Sequence, residues 1–370
     1  MRSLLRGRVL YSAGILAMGL AAAGATDLLN KPFGYDLAAY LIAARRLLAG
    51  AQIYPHEPVF GPFGQFFYPP VIAAAFIPFL LSPYAGALAW TLGLFAIAAG
   101  FGRSLVCGHD RQTRPWVAAA FVFFPPLLWD LNLGNVTMLA VVVTVLAWEQ
   151  RERPAVSGGL LALSLALKPL GMTLPVYFLV SGRWRTTAWA MAISVGVVVL
   201  TWPWLGQYWL DYVRLVGMLV NAPPGRDSNI IPPELFSVPE RLLLPVLALC
   251  TAVWAGLQAR RPALAGHAFR LTLASSPLVS TTVWYPYLVA TLPLLLHAGS
   301  PAVRWSGGFV KSARVLLWGI LVAQFVRSPG LTVQLLGVLA LVLVGSIPLA
   351  RSAPAQTTDA EVAALATAPS

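Results

Sequence analysis

The sequence predicts an all-α, polytopic membrane protein. Of its 370 residues, 58% are hydrophobic and only 10% are charged, whereas soluble domains carry about a quarter charged residues. The mean hydropathy of +0.74 is spread over the whole chain, so lipid is the only surface that can cover so much apolar material. Together these observations exclude a soluble domain.

The basic residues mark membrane topology. The formal net charge is +12, but the arginines fall in short groups between apolar runs, which is typical of cytoplasmic loops. Because they form no basic face, we expect membrane lipids and no nucleic acid as partners. Cys107 and Cys250 are far apart and predict neither a disulfide framework nor a thiolate metal site.

The first 29 residues predict a retained membrane span, because their apolar run is long enough to cross and the rest of the chain is membranous. Arg2, Arg6 and Arg8 place the N-terminus in the cytoplasm. Residues 29–83 are the least apolar stretch, and we expect them to form an extracytoplasmic loop.

Two interfacial helices are predicted in this first loop. Residues 36–50 place apolar side chains on one side at helical spacing. Residues 69–83 are apolar but short, and Pro78 interrupts them. A span here would turn Arg103, Arg111 and Arg114 outward, against the positive-inside rule.

Further spans follow, which with the first give about 12 crossings and two cytoplasmic termini. They are predicted at 84–102, 115–130, 136–149, 155–168, 169–182, 186–205, 238–258, 262–280, 283–298, 314–327 and 331–350. A second external loop is predicted at 206–237, within one transmembrane domain of residues 1–350, and a disordered cytoplasmic tail at 351–370. Several spans are shorter than the roughly 20 residues required, so the pair meeting at Lys168 is expected to surround a site.

Asp36 and Lys168 are the main candidates for chemistry on the outer side. Asp36 begins a predicted helix, where a carboxylate can cap backbone N–H groups or take a proton from a hydroxyl nucleophile. Lys168 lies alone in an apolar stretch. It either snorkels to the interface or binds an anion, and its position level with the segment Asp130–Asn135 favours a lipid phosphate.

Other polar and aromatic residues carry weaker signals. His56 and Glu57 could ligate a metal or steer a proton, but a solvated loop is the favoured interpretation. Arg226 and Asp227 form either a solvated turn or a mobile lid. Trp284, Tyr285 and Tyr287 are typical of an interfacial aromatic belt, or could stack on a sugar ring.

Five segments resemble one known family when taken in order. They are DLAAYLIAARRLLAGAQIY from Asp36, FFYPP from Phe66, FIPFLLSPYAGALAW to Trp90, LNLGNVTML around Asn135 and SGGLLALSLALKPLGMTLP around Lys168. The set resembles the GT-C integral membrane glycosyltransferases, and within them glycosyltransferase family 87. The resemblance covers roughly residues 30–300. Two details depart from it, because LGNVT lacks the glutamine after the glycine and the late segment SSPLVSTTVWYPY lacks a histidine.

The resemblance implies a GT-C fold and an inverting hexosyl transfer, with mannose expected, from a polyprenyl-phosphate sugar donor to a glycolipid or glycan acceptor outside the bacterial plasma membrane. Asp36 would be the general base. Lys168, Arg45 and Arg226 are expected to bind the donor phosphate. The expected substrate-binding residues are Tyr40, Tyr54, His56, Tyr68, Asn132, Asn135, Trp284 and Tyr285. A donor with one phosphate requires no bound divalent ion, so no cofactor and no metal is expected.

Two other interpretations stay open at this point. A transporter or flippase of a lipid-linked or anionic solute also needs many spans and a basic residue at a broken helix, although the sequence has no paired repeats. A non-catalytic relative that binds lipid or scaffolds a partner is the second, and the missing histidine keeps it open.

Overall fold

The computed structural model describes residues 33–54, 66–109, 111, 114–221, 238–279, 285–298 and 339. The described residues are helical or irregular and contain no strand, which confirms the all-α class. The predicted first span, the span at 314–327, the span at 331–350 apart from residue 339, and the tail at 351–370 lie outside these residues.

The α-helices are α1 (Tyr35–Leu48), α2 (Pro70–Ala75), α3 (Pro83–Cys107), α4 (Arg114–Val122), α5 (Pro125–Leu133), α6 (Thr137–Glu149), α7 (Pro154–Leu167), α8 (Thr173–Val180), α9 (Trp184–Asn221), α10 (Val238–Ala259), α11 (Pro262–Ser275) and α12 (Leu292–Ala298). Short 3₁₀ helices cover Ile77–Leu80, Pro169–Met172, Ser276–Val279 and Tyr285–Thr291. Proline begins many of these elements, as expected where an N–H has no partner within the helix.

Among the described residues, two helices are long and apolar enough to cross a membrane: Tyr84–Cys107 and Trp184–Met218. A third crossing results if α5 and α6, which bend by 113° at their junction, are counted as one broken span. The number of twelve crossings therefore stays a prediction. The range expected to cross at 115–130 is divided between α4 and α5, because Pro125 starts a new helix.

The helix after residue 184 is longer than expected. The sequence placed the end of the span at residue 205 and a loop at 206–237, whereas α9 continues without a break to Asn221. Pro203 lies inside it and does not end it. Residues 222–237 lie outside the described part.

Close contacts between small residues join the bundle. A Cβ on Gly158 of α7 would lie 2.8 Å from the Thr186 carbonyl oxygen of α9, so the two helices approach to backbone contact. Ser157 donates a 2.6 Å hydrogen bond from α7 to the Ala147 carbonyl of α6. Small residues and buried hydroxyls at helix contacts are typical of membrane bundles.

The first-loop segment has a hydrophobic cluster of its own. Tyr40, Tyr54 and Phe66 are almost fully buried in it, and the cluster extends to Leu167 at the end of α7 and Leu215 in α9. The predicted helices of this loop are confirmed as α1 and as α2 with its following 3₁₀ turn. This packing fixes the loop against the ends of α6, α7 and α9.

Candidate active site

Asp36 lies in the first turn of α1, where the helix dipole stabilises a negative charge. The cap residue is Gly34 and not Asp36: Gly34 has φ 74, and its N–H donates to the Asn132 carbonyl at 2.8 Å. The N-cap interpretation of Asp36 is therefore wrong. The Gly34–Asn132 bond ties the start of α1 to the end of α5, and the Asp36 carboxylate is left for other partners.

Asn135 holds the Asp36 carboxylate. Its side-chain Nδ2 donates to Asp36 Oδ2, and its Oδ1 accepts from the Thr137 backbone N–H at 3.2 Å and from Thr137 Oγ1 at 3.1 Å. Because a backbone N–H can only donate, the amide oxygen must face Thr137 and the NH₂ group must face the carboxylate.

The turn that carries Asn135 is rigid for identifiable reasons. Gly134 has φ 66, a left-handed conformation that glycine adopts without penalty, and its carbonyl accepts from Trp90 Nε1 at 2.9 Å. The fully buried Asp130 side chain accepts from the Met138 N–H at 2.8 Å. These bonds fix the sharp bend between α5 and α6.

Lys168 ends α7 in an extended conformation, with φ −158 and ψ 144, as expected before a proline. Its side chain is buried, and its Nζ lies 5.0 Å from the Tyr68 ring centroid and 4.7 Å from that of Tyr287. Among the ion pairs between described residues, none involves Lys168. The ammonium is therefore held by the two aromatic rings and by a hydrogen bond to the Tyr68 side chain.

Three tyrosines of the first loop support this arrangement. The Tyr40 hydroxyl lies 2.9 Å from the Tyr68 hydroxyl and 3.4 Å from Asn135 Oδ1. The Tyr54 hydroxyl donates to the Tyr68 carbonyl at 2.7 Å, so Tyr54 supports the Tyr68 backbone. Burial raises the pKa of Tyr40 and of Tyr68 above the ordinary value, so both hydroxyls stay protonated and can donate.

The electrostatics of Asp36 suit a proton acceptor. Burial raises the pKa of its carboxyl to about 6, while the positive charge of Lys168 and the Asn135 hydrogen bond each act to lower that pKa. A base is most effective when its pKa lies near the working pH. Asp36 is therefore ionised at pH 7 and more basic than an exposed aspartate.

The structure brings together Asp36, Asn135, Lys168, Tyr40 and Tyr68. Arg45 is exposed and lies nine residues after Asp36, two and a half helical turns away and therefore on the opposite side of α1. Asn132 contributes its backbone carbonyl, which accepts the hydrogen bond from the Gly34 N–H at the start of α1. His56, Arg226 and Trp284 lie outside the described residues, as does the side chain of Tyr285.

Sequence reasoning did not select Tyr287, Thr137 or Asp130 for the site. Tyr287 was interpreted as part of an aromatic belt or as a ring that could stack on a sugar, whereas it contacts Lys168. Asp130 precedes Asn135 in the chain and Thr137 follows it. The series of polar residues from Asp130 to Thr137 was therefore the signal that could have identified them. Within the described ranges, no group of three or more His, Cys, Asp or Glu residues could hold a metal ion.

Comparison with known proteins identifies the family. The model of glycosyltransferase family 87 matches residues 66–281, more than half of the chain. The chain belongs to glycosyltransferase family 87. The matched segment includes Tyr68, Asn135 and Lys168, whereas Asp36 precedes it and Tyr287 follows it.

A characterised relative resembles this family 87 member along most of its length. It is the polyprenol-phosphate-mannose-dependent alpha-(1-2)-phosphatidylinositol mannoside mannosyltransferase of Mycolicibacterium smegmatis, 28% identical over 337 residues that cover 80% of this chain and 76% of the relative. No solved structure matches the chain. The chain is thus a membrane glycosyltransferase, and the transporter interpretation is not needed to explain it.

Proposed function

We propose that this enzyme transfers mannose from a polyprenyl-phosphate donor to a glycolipid or cell-envelope glycan acceptor at the extracytoplasmic face of a bacterial plasma membrane. One observation carries the proposal: a half-buried carboxylate, Asp36, and a buried ammonium, Lys168, lie in one cluster at the end of the bundle. A transfer between a hydroxyl and a phosphate leaving group needs these two charges.

The chemistry is a single displacement with inversion at the anomeric carbon. Asp36 takes the proton of the acceptor hydroxyl while that oxygen attacks the sugar carbon. The bond from that carbon to the phosphate oxygen breaks, and the electron pair leaves with the polyprenyl phosphate. Lys168 stabilises the negative charge that develops on the leaving phosphate. No cofactor takes part in this scheme.

The membrane arrangement belongs to the same proposal. In a GT-C fold with twelve crossings and two cytoplasmic termini, the loop 29–83 and the cluster face outward. The basic groups at Arg103, Arg151 and Arg183 support this orientation. Arg103 lies in the last turns of α3 and the other two lie between helices, all at the opposite side from Lys168 in the predicted order.

The identity of the substrates draws on the mycobacterial relative, whose name specifies a polyprenol-phosphate-mannose donor and a phosphatidylinositol mannoside acceptor. We extend the donor to this chain because a lipid-linked monophosphate fits one buried lysine. For the acceptor we propose only a glycolipid or glycan with a free sugar hydroxyl.

The test is transfer of radiolabelled mannose from polyprenyl-phosphate-mannose to endogenous acceptors in membranes that contain equal amounts of wild type or Asp36→Asn. The variant is expected to lose at least ~100-fold in rate, because general base catalysis contributes about 10²- to 10⁴-fold. Undiminished transfer by Asp36→Asn would remove this residue from catalysis. An inactive wild type that accepts a different lipid-linked sugar would change the proposed donor.

A further inference from the structure

We propose that Tyr287 is a positioning residue for the donor phosphate: together with Tyr68 it holds the Lys168 ammonium at two aromatic rings and leaves part of the ammonium N–H donors to the phosphate. The inference rests on the proposed function. It adds a residue from a distant segment that no family match covers, since the matched range ends at residue 281.

The geometry is that of a cation between two aromatic rings. The Lys168 Nζ lies 4.7 Å from the Tyr287 centroid and 5.0 Å from the Tyr68 centroid, within the about 6 Å over which a ring face attracts an ammonium. The rings come from different segments, one in the first loop and one in the 3₁₀ helix Tyr285–Thr291. Lys168 therefore depends on both segments for its position.

The Tyr287 ring is fixed by its surroundings. Its side chain is 7% exposed, and its 3₁₀ helix packs against α5 and α6, the two helices whose junction carries Asn135. Leu288, Val289 and Ala290, which follow it, are fully buried. The ring thus has the same rigid support as the Asp36–Asn135 pair.

The way in which Lys168 is held decides what it can bind. A carboxylate in contact with the ammonium would neutralise it and occupy its donors, and a phosphate would then have to displace that carboxylate. Within the described part of the chain, no carboxylate oxygen forms an ion pair with Lys168. An ammonium has three N–H donors. The Tyr68 side chain accepts one of them, and the ring faces add no carboxylate that a phosphate would have to displace, so N–H donors of Lys168 remain available to phosphate oxygens.

The substitution that tests the proposal is Tyr287→Leu in the purified full-length enzyme, compared with Tyr287→Phe. We measure kcat, the KM for polyprenyl-phosphate-mannose and the inhibition constant of polyprenyl phosphate, the leaving product. Cation–π contacts contribute about 0.5–2 kcal/mol, so Tyr287→Leu is expected to raise the donor KM and the inhibition constant about 2- to 30-fold. Tyr287→Phe keeps the ring face and is expected to stay within about twofold of wild type.

Two controls separate this role from a structural one. Tyr84→Leu removes a tyrosine that is 92% exposed on α3 and is expected to change neither constant. In a Lys168→Met background, Tyr287→Leu should have no further effect on the inhibition constant, because the ring acts through the ammonium. Where Tyr287→Leu does not fold, Tyr287→Met replaces it with an apolar chain of greater length.

The proposal is overturned if Tyr287→Leu leaves both constants at the wild-type values, if Tyr287→Phe is as impaired as Tyr287→Leu, or if the effect persists unchanged without Lys168. A wild-type enzyme that does not transfer mannose at all contradicts the proposed function instead. The two failures are therefore distinguishable within one set of assays.

Discussion

The two ends of helix α7 differ in how exposed their charged side chains are and in what those side chains contact. Before Pro154, Glu152 is 75% exposed and pairs with Arg183 at 3.1 Å and with Arg151 at 3.5 Å. About 21 Å away, Lys168 is buried and lies against two rings. Exposed pairs contribute little to stability, whereas a buried charge without a charged contact is costly. The difference fits the proposed binding of the donor phosphate at the Lys168 end.

Replacing Lys168 should produce the largest effect at this end after the loss of the base. Lys168→Met removes a charge-assisted contact to phosphate, which contributes about 1.5–3 kcal/mol. We expect kcat/KM for the donor to fall roughly 10- to 150-fold. Steady-state kinetics in nanodiscs measure this change, and unchanged kcat/KM would mean that the donor phosphate binds elsewhere.

Gly134→Ala should disturb the site without touching any charge. A Cβ at this position would lie 3.0 Å from the Leu37 Cβ, so α1 and Asp36 must shift, and small displacements of catalytic groups can reduce rates up to about 100-fold. We expect transfer to fall roughly tenfold. Gly50→Ala is the matched control: its φ is +64, but nothing lies within 4 Å of the added Cβ. Equal losses in both variants would show that backbone strain alone is responsible.

Asn135→Leu should change the pH dependence of the reaction. The Asn135 amide favours the ionised form of Asp36, and the pKa of Asp36 is about 6 with this bond present. Without the bond the pKa rises, so the acidic limb of the kcat/KM profile moves to higher pH. Thr137→Val keeps the backbone N–H that orients Asn135 and should move the limb less. A limb that moves to lower pH in Asn135→Leu would contradict the assignment of Asp36 as the base.

Glu152→Gln gives the smallest expected effect and completes the comparison. The variant removes the Arg183–Glu152 pair, and exposed pairs contribute about 0–1 kcal/mol. We expect transfer within about twofold of wild type and a melting temperature close to it. A loss as large as that of Lys168→Met would show that the charges at both ends of α7 matter equally for transfer.

Much of this site could be predicted from residue types and spacing. The sequence placed Asp36 at a helix start and Lys168 level with Asn135, and the structure brings all three together. Arg45 could have been set aside at once, since nine residues correspond to half a turn beyond two full turns. The Tyr287 contact could not be predicted, because which ring faces a lysine depends on how distant helices pack.

The limits of the fold prediction have a similar cause. Hydropathy identifies apolar segments well, but α7 and α8 have 14 and 8 residues, and α5 is short and strongly bent against α6. The backbone N–H and C=O groups at the ends of such short segments form hydrogen bonds with neighbouring helices and side chains. Local sequence does not encode these contacts. The continuation of α9 beyond residue 205 was missed because Gln207, Asp211 and Arg214 resemble a loop in composition.

The length of α9 has a geometric consequence for where substrates can meet. Its 38 residues measure about 57 Å, and even at a tilt of about 40° it rises roughly 44 Å, well beyond a hydrocarbon layer of about 30 Å. Tyr208, about two thirds of the way along it, donates to the Ala51 carbonyl at 3.2 Å. The long helix thus joins a segment apolar enough to cross a membrane directly to the loop that carries Asp36, so the distance between the two is fixed by a single rigid element.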